Sequence, residues 1–152
     1  MTRAGQYTTK QGIVVEDELG FGFDGIVLAT SRQSAIKVLR YEPLYQRERD
    51  VYLRLHARRA VQVMGFKIPR MLRADDELWV IEMTIVSPPF VLDFAGAYLD
   101  KRPEYPEDVM AEWQAEKAEQ FGDRWSTVRL VMAEFAGMGV YLADVKPGNI
   151  EF

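Results

Sequence analysis

The chain has no cysteine. That excludes a disulfide framework and every thiolate metal site. Histidine occurs once, at His56. One imidazole cannot build a His-rich metal centre, and it reads instead as a cation suited to the end of a helix, beside Arg58 and Arg59. No apolar run approaches the ~18 residues of a membrane-crossing helix. The first residues, Met1 to Tyr7, lack the apolar core of a secretion signal. There is also no basic block: 19 Lys and Arg stand against 23 Asp and Glu, for a net charge of −4. That balance argues against nucleic acid or a membrane surface as the partner. Together these absences predict a soluble, cytoplasmic protein.

Apolar residues make up 48% of the 152 residues, enough for a sizeable core in one domain. Residues 1–11 are polar and read as a loose arm. Residues 13–19, 26–29 and 35–39 read as strands. Pro43 suits the first turn of a helix running to about residue 59. Residues 71–73 and 78–83 read as a hairpin, 91–98 as a short helix, and 101–106 as a loop. Residues 107–120 read as an acidic, solvated helix, and 126–138 as an amphipathic helix ended by Gly137 and Gly139. Residues 140–142 and 150–152 read as extended pieces. Trp79, Phe90, Phe94, Trp113 and Trp125 read as core or interface aromatics. The order is a strand-rich half followed by a helix-rich half.

Three constellations carry chemistry. The first is Gly20-x-Gly22-x-x-Gly25. Such a loop can open a dinucleotide-binding helix, fold as a hairpin over phosphates, or simply be a Gly-rich turn. The strand-like Ile26-Val27-Leu28 that follows favours a hairpin, where glycine lets backbone approach phosphate oxygens. The second is Lys37 with Glu48. Ala35, Lys37 and Leu39 share one strand face, and Leu44, Glu48, Val51 and Leu55 one helix stripe. Each charge stands on an apolar face, so either the two meet or both reach water from the edges. The third is Asp144-x-Lys146-Pro147-Gly148-Asn149. It is either a polar turn between strands or a carboxylate base, a phosphate-balancing ammonium and an amide ligand for a cation.

In this order the three motifs resemble the protein-kinase-like superfamily, from about residue 13 to 152. The resemblance implies an α+β fold: an antiparallel, β-rich N-lobe with one αC-like helix and a hinge over residues 12–85, and a reduced helical C-lobe over 86–152. It implies a single kinase-like domain binding ATP and Mg²⁺. Gly20, Gly22 and Gly25 would then cover the nucleotide, and Val27 and Ala35 would sandwich adenine. Lys37, held by Glu48, would meet the α- and β-phosphates. Ile81 would be the gatekeeper, with Glu82 and Thr84 as hinge residues on the adenine edge. Asp144 would be the base, Lys146 its phosphate-binding neighbour, and Asn149 a metal ligand.

The sequence departs from the family where Leu142-Ala143 replaces the usual His-Arg, and where no D-F-G follows Asn149. The strongest metal ligand is thereby missing from its usual place, so Glu151 or a partner chain is expected to substitute. The 126–138 helix is expected to lack cover, which predicts a homodimer or a protein partner on the reduced C-lobe. Two functions follow: an ATP- or ADP-binding protein that transfers a phosphoryl group to a hydroxyl, or an inactive pseudokinase serving as an interaction module. A third is half of a split enzyme completed by another polypeptide. Under the first, Lys37→Ala should abolish nucleotide binding with little loss of fold.

Overall fold

The computed structural model describes residues 1–152. Its first element is a helix, α1 (Arg3–Gln11), where the sequence reads as a loose arm. Thr2 caps it by accepting the Gly5 amide at 3.1 Å, and Gly12 closes it at φ 67°. Only Tyr7 and Thr8 of this helix are buried, so it lacks the apolar stripe that announces a helix. What holds it lies far along the chain: Glu82 bonds Tyr7 and Asp75 bonds Lys10.

Strands β1 (Val15–Phe21), β2 (Gly25–Thr30) and β3 (Ser34–Leu39) form an antiparallel meander. Helix α2 (Glu42–Ala57) follows, with Pro43 in its first turn. Next come two short strands that the sequence does not announce, β4 (Gln62–Val63) and β5 (Phe66–Lys67). They turn through Met64 and Gly65, both at positive φ, as a two-residue hairpin demands. Strands β6 (Met71–Asp75) and β7 (Val80–Thr84) then complete a five-stranded antiparallel sheet in the order β1-β2-β3-β7-β6.

Every residue of β3 is buried, because both of its faces are covered. Ala35 and Leu39 join the main core with α2, whereas Ile36 and Val38 join Tyr7, Ile13, Leu28 and Val80 in a smaller cluster under α1.

The helix expected over residues 91–98 does not form. The chain there makes β8 (Phe90–Val91), a turn, and β9 (Tyr98–Leu99). Asp93 and Gly96 both take positive φ, and Asp93 Oδ1 accepts the Ala95 amide at 3.0 Å. Two left-handed residues three apart cannot sit in a right-handed helix, and the aspartate offers the backbone a turn instead.

Helix α3 (Glu107–Phe121), a 3-10 turn at Gly122–Arg124, α4 (Trp125–Gly137), β10 (Val140–Tyr141) and β11 (Ile150–Glu151) complete the chain. Two small sheets knit this half together. One pairs β10 with β9; the other runs β11-β8-β5-β4, with β5 and β8 parallel. The result is α+β, with mainly antiparallel sheets.

The apolar side of α4 is covered: Val128, Val131 and Phe135 are fully buried. Trp113 and Phe121 of α3 pack on Trp125, with ring centroids 5.9 and 6.0 Å away. An uncovered α4, the premise for expecting a partner there, is not what the chain builds. No helix is long and apolar enough to cross a membrane.

Candidate functional site

A cleft of about 690 Å³ opens between the five-stranded sheet and the small sheets beneath it. The β1–β2 hairpin forms its roof. Within that hairpin the Gly22 amide donates to the Gly25 carbonyl at 2.9 Å. Gly25 is obligatory, because a Cβ there would stand 2.0 Å from the Val38 carbonyl oxygen, at φ 152°. Gly20 and Gly22 face open space instead. Their missing side chains leave the cleft accessible to a ligand rather than relieving a clash.

Apolar walls come from Val27, Ala35 and Met83. Tyr52 of α2 donates its hydroxyl to Met83 Sδ at 3.4 Å.

Lys37 and Glu48 do meet: Lys37 Nζ lies 2.9 Å from Glu48 Oε1. A second carboxylate, unanticipated from the sequence, shares the ammonium, with Asp93 Oδ1 at 3.0 Å. Burial alone would pull the Lys37 pKa down, but the two carboxylates outweigh it and hold it above the ordinary lysine range. Burial likewise raises the Asp93 carboxyl, yet Lys37 and the Ala95 amide more than offset this and leave it below the ordinary range. Glu48 goes the other way. Burial dominates, Asp93 and Asp24 add repulsion, and its pKa rises despite Lys37. Its second oxygen, Oε2, is buried without a hydrogen-bond partner.

Across the cleft, the turn between β10 and β11 presents the other half of the site. Asn149 Nδ2 donates to Asp144 Oδ2 at 3.0 Å and to the Asp144 carbonyl at 3.1 Å. That fixes the amide and leaves its Oδ1 as the available acceptor. Lys146 Nζ stands 3.7 Å from Asp144 Oδ2 and is half exposed. The Leu92 amide donates to the Asn149 carbonyl at 2.7 Å, just beyond the antiparallel pairing of β8 with β11. This pairing brings Asp93 alongside the Asp144 loop. Asp24 of the roof, Asp93 and Asp144 place carboxylate oxygens within 4.8 Å of one another.

The sequence did hold a signal for Asp93. A D-F pair following a short apolar strand is sought after Asn149, yet here Asp93-Phe94 precedes the loop and follows β8. Glu151, the substitute expected, is exposed on β11 and does not line the cleft.

Of the expected residues Glu82 and Thr84, only Glu82 falls outside the cleft. Glu82 pairs with Ile36, so its side chain lies on the α1 face, away from the cleft. There it is fully buried, accepting from Tyr7 Oη at 2.6 Å and Ser34 Oγ at 2.7 Å. Thr84 does line the cleft, but its amide donates to the Arg70 carbonyl and its hydroxyl accepts the Arg70 amide. Ile85 and Val86, which follow it, also line the cleft. Ile81 is fully buried beside Lys37, and Met83, paired with Ala35, forms the wall instead.

No protein-family model matches the chain, and no curated protein matches it in sequence.

Proposed function

We propose that the chain is a compact kinase-like phosphotransferase that binds ATP in this cleft and passes its γ-phosphoryl group to a hydroxyl acceptor. One observation carries the proposal. A buried lysine, shared by two carboxylates, faces an aspartate–asparagine loop across a cleft roofed by a glycine hairpin. Each part has a task in phosphoryl transfer. Val27, Ala35 and Met83 offer apolar faces to a base, and the Ile85–Val86 backbone offers its edge. Lys37, oriented by Glu48, offers its remaining N–H to phosphate oxygens, and the hairpin amides cover them.

The oxygen donors of Asp93, Asp144 and Asn149 suit a hard divalent cation such as Mg²⁺, as does the surplus of carboxylates around Lys37. When bound, that ion would neutralise charge on the phosphates. Asp144 serves as the base. The acceptor oxygen forms a bond to the γ-phosphorus, and the bond to the bridging oxygen breaks. ADP departs with that electron pair, and the acceptor proton passes to Asp144. Lys146 balances charge on the transferred group. Asp93, which stands alongside the Asp144 loop, supports the active reading over an inactive docking module.

Calorimetric titration with ATP tests the proposal, with Mg²⁺ and with EDTA. Binding that strengthens with Mg²⁺ is expected. Asp144→Asn should retain the ATP binding seen in EDTA, while phosphoryl transfer to a generic hydroxyl-bearing protein substrate in Mg²⁺ falls by about 100-fold or more. Absence of ATP binding in either buffer would refute it.

A further inference from the structure

Away from the cleft, one side chain of α2 reaches into the lower half of the molecule. Arg54 donates both outer nitrogens to Asp100, Nη1 to Oδ1 and Nη2 to Oδ2, each at 2.7 Å. Nη1 also donates to the Met138 carbonyl at 3.0 Å. One guanidinium thus joins α2 to the residue after β9 and to the C-cap of α4. A partly exposed ion pair usually contributes little, but a bidentate guanidinium with a third, backbone partner is held in one geometry.

The backbone around Arg54 is shaped to receive it. Gly139 takes φ 79°, and a Cβ there would stand 2.5 Å from Arg54 Nη1 and 2.6 Å from Asp100 Oδ1. A side chain at that position would expel the guanidinium. Asp100 itself takes φ 63°, and its amide donates to the Gly139 carbonyl at 2.8 Å. The chain therefore spends two left-handed residues, one of them not glycine, on bending around the tip of Arg54. Arg47 makes a second grip from the same face of α2, with the buried Val51 between the two arginines. Its Nη2 donates to the Gly96 carbonyl at 2.9 Å, and its guanidinium lies 4.7 Å from the centre of the Tyr98 ring. Helix α2 thus holds residues 96–100 at both ends. That segment runs from Asp93, which shares Lys37, to β9, whose partner β10 leads into Asp144.

The geometry points to Arg54 as a positioning residue for phosphoryl transfer: through Asp100 and the Met138 carbonyl it sets the distance between α2, which orients Lys37 through Glu48, and the β9–β10 pair, which carries the chain into Asp144. This role deepens the proposed function and rests on it. Arg54 and Asp100 both lie outside the cleft lining, so neither touches nucleotide or acceptor. Losing the bridge leaves the nucleotide contacts in place and misaligns the reacting groups, and a misplacement of about 1 Å costs on the order of 100-fold in rate.

Arg54→Ala should lower kcat by about 10-fold or more while the Kd for ATP in EDTA stays within about 2-fold of the parent's. Arg54→Lys keeps the charge but cannot serve both Asp100 oxygens and the carbonyl together, so it should recover part of the loss. Asp100→Asn, which tolerates the same left-handed backbone, should lower kcat as Arg54→Ala does. Circular dichroism confirms that each variant is folded; should Arg54→Ala fail to fold, the other two carry the same tests. A merely structural bridge would lower the melting temperature and leave the kcat of folded enzyme unchanged. A second readout needs no activity. The chain has no cysteine, so spin labels can be placed at Gln46→Cys on α2 and Leu130→Cys on α4, both exposed. Double electron–electron resonance should give one narrow distance in the parent and a broadened or shifted one in Arg54→Ala. Unchanged kcat in the folded variants, or an unchanged distance, overturns the assignment. A parent that binds no ATP or transfers no phosphoryl group removes the proposed function, and the label distance then decides alone whether Arg54 sets the spacing of the two halves.

Discussion

Lys37 is 5% exposed and held by two carboxylates, so it is a structural ion in its own right. Removing it strands Glu48 and Asp93 in a poorly solvated place. Lys37→Ala should therefore destabilise the fold by about 3–5 kcal/mol, read from urea denaturation. A loss under about 1 kcal/mol would mean that water already serves those carboxylates. This revises the expectation that the substitution spares the fold.

Asp75 supplies a pH test away from the cleft. Burial raises its carboxyl, but the Lys10 ammonium and the Leu78 and Glu77 amides prevail and hold it below the ordinary aspartate range. An acid depressed in the folded state adds stability above its unfolded pKa of about 3.9 and loses it as pH falls through the lower folded value. Asp75→Asn should therefore cost roughly 1–3 kcal/mol at pH 7 and progressively less below pH about 4. Parallel denaturation curves at the two pH values check this, and a gap that does not narrow in acid would count against it.

At this scale the sequence showed Lys37 and Glu48 clearly, because each broke an apolar pattern. Asp93 carried only the Asp-Phe signal ahead of the Asp144 loop, and its role emerges from the pairing of β8 with the strand at residue 150. Glu82 was misplaced for a related reason. A motif aligned by spacing cannot say which of two sheet faces a side chain takes, and a shift of one residue reverses the face.

Among elements, the glycine hairpin separates two uses of one residue type. Gly25→Ala must push a methyl group into the Val38 carbonyl, with no flexible neighbour to yield. It should cost roughly 3 kcal/mol or more and detach β2 from β3. Gly22→Ala meets nothing within 4 Å. Its thermal midpoint should stay near the parent's while ATP affinity falls, and thermal melts beside calorimetry distinguish the two. A Gly25→Ala variant as stable as the parent would show that the hairpin is not seated on β3 as described.

Elements with long periodic patterns were legible: the meander, α2, the β6–β7 hairpin, α3 and α4. Of the two-residue strands, β10 and β11 were read as extended pieces, but β4, β5, β8 and β9 were not, because so short a pairing has no period of its own. Helix α1 was missed because one buried tyrosine on a polar segment gives no stripe.

Across the whole molecule, one buried cluster of 21 residues runs from Ala35 to Ile150, so the upper sheet and the lower helices share a core. An aromatic column threads it. Tyr52 meets Met83 above and Phe94 beside it, at 5.3 Å between rings, and Phe94 meets Phe135 of α4 at 5.7 Å. Phe94 follows Asp93 directly, so packing between the two halves also fixes the acid in the cleft. That coupling is invisible from chain order alone, since its members are scattered over residues 52–135.

The loop at residues 101–106 is the only covalent link between the segment that carries Lys37, Glu48 and Asp93 and the one that carries Asp144, Lys146 and Asn149. Non-covalent links are many: β9 pairs with β10, β8 with β11, and Arg54 reaches across to the Met138 carbonyl at 3.0 Å. Lys101 in that loop is exposed. Brief trypsin treatment should therefore cut after Lys101 and yield two fragments that elute together in native buffer and separate only in denaturant. Fragments that part without denaturant would show that the loop, not the core, holds the halves. If they stay together, the two pieces expressed apart could be recombined as a reporter in which a working cleft appears only when they meet.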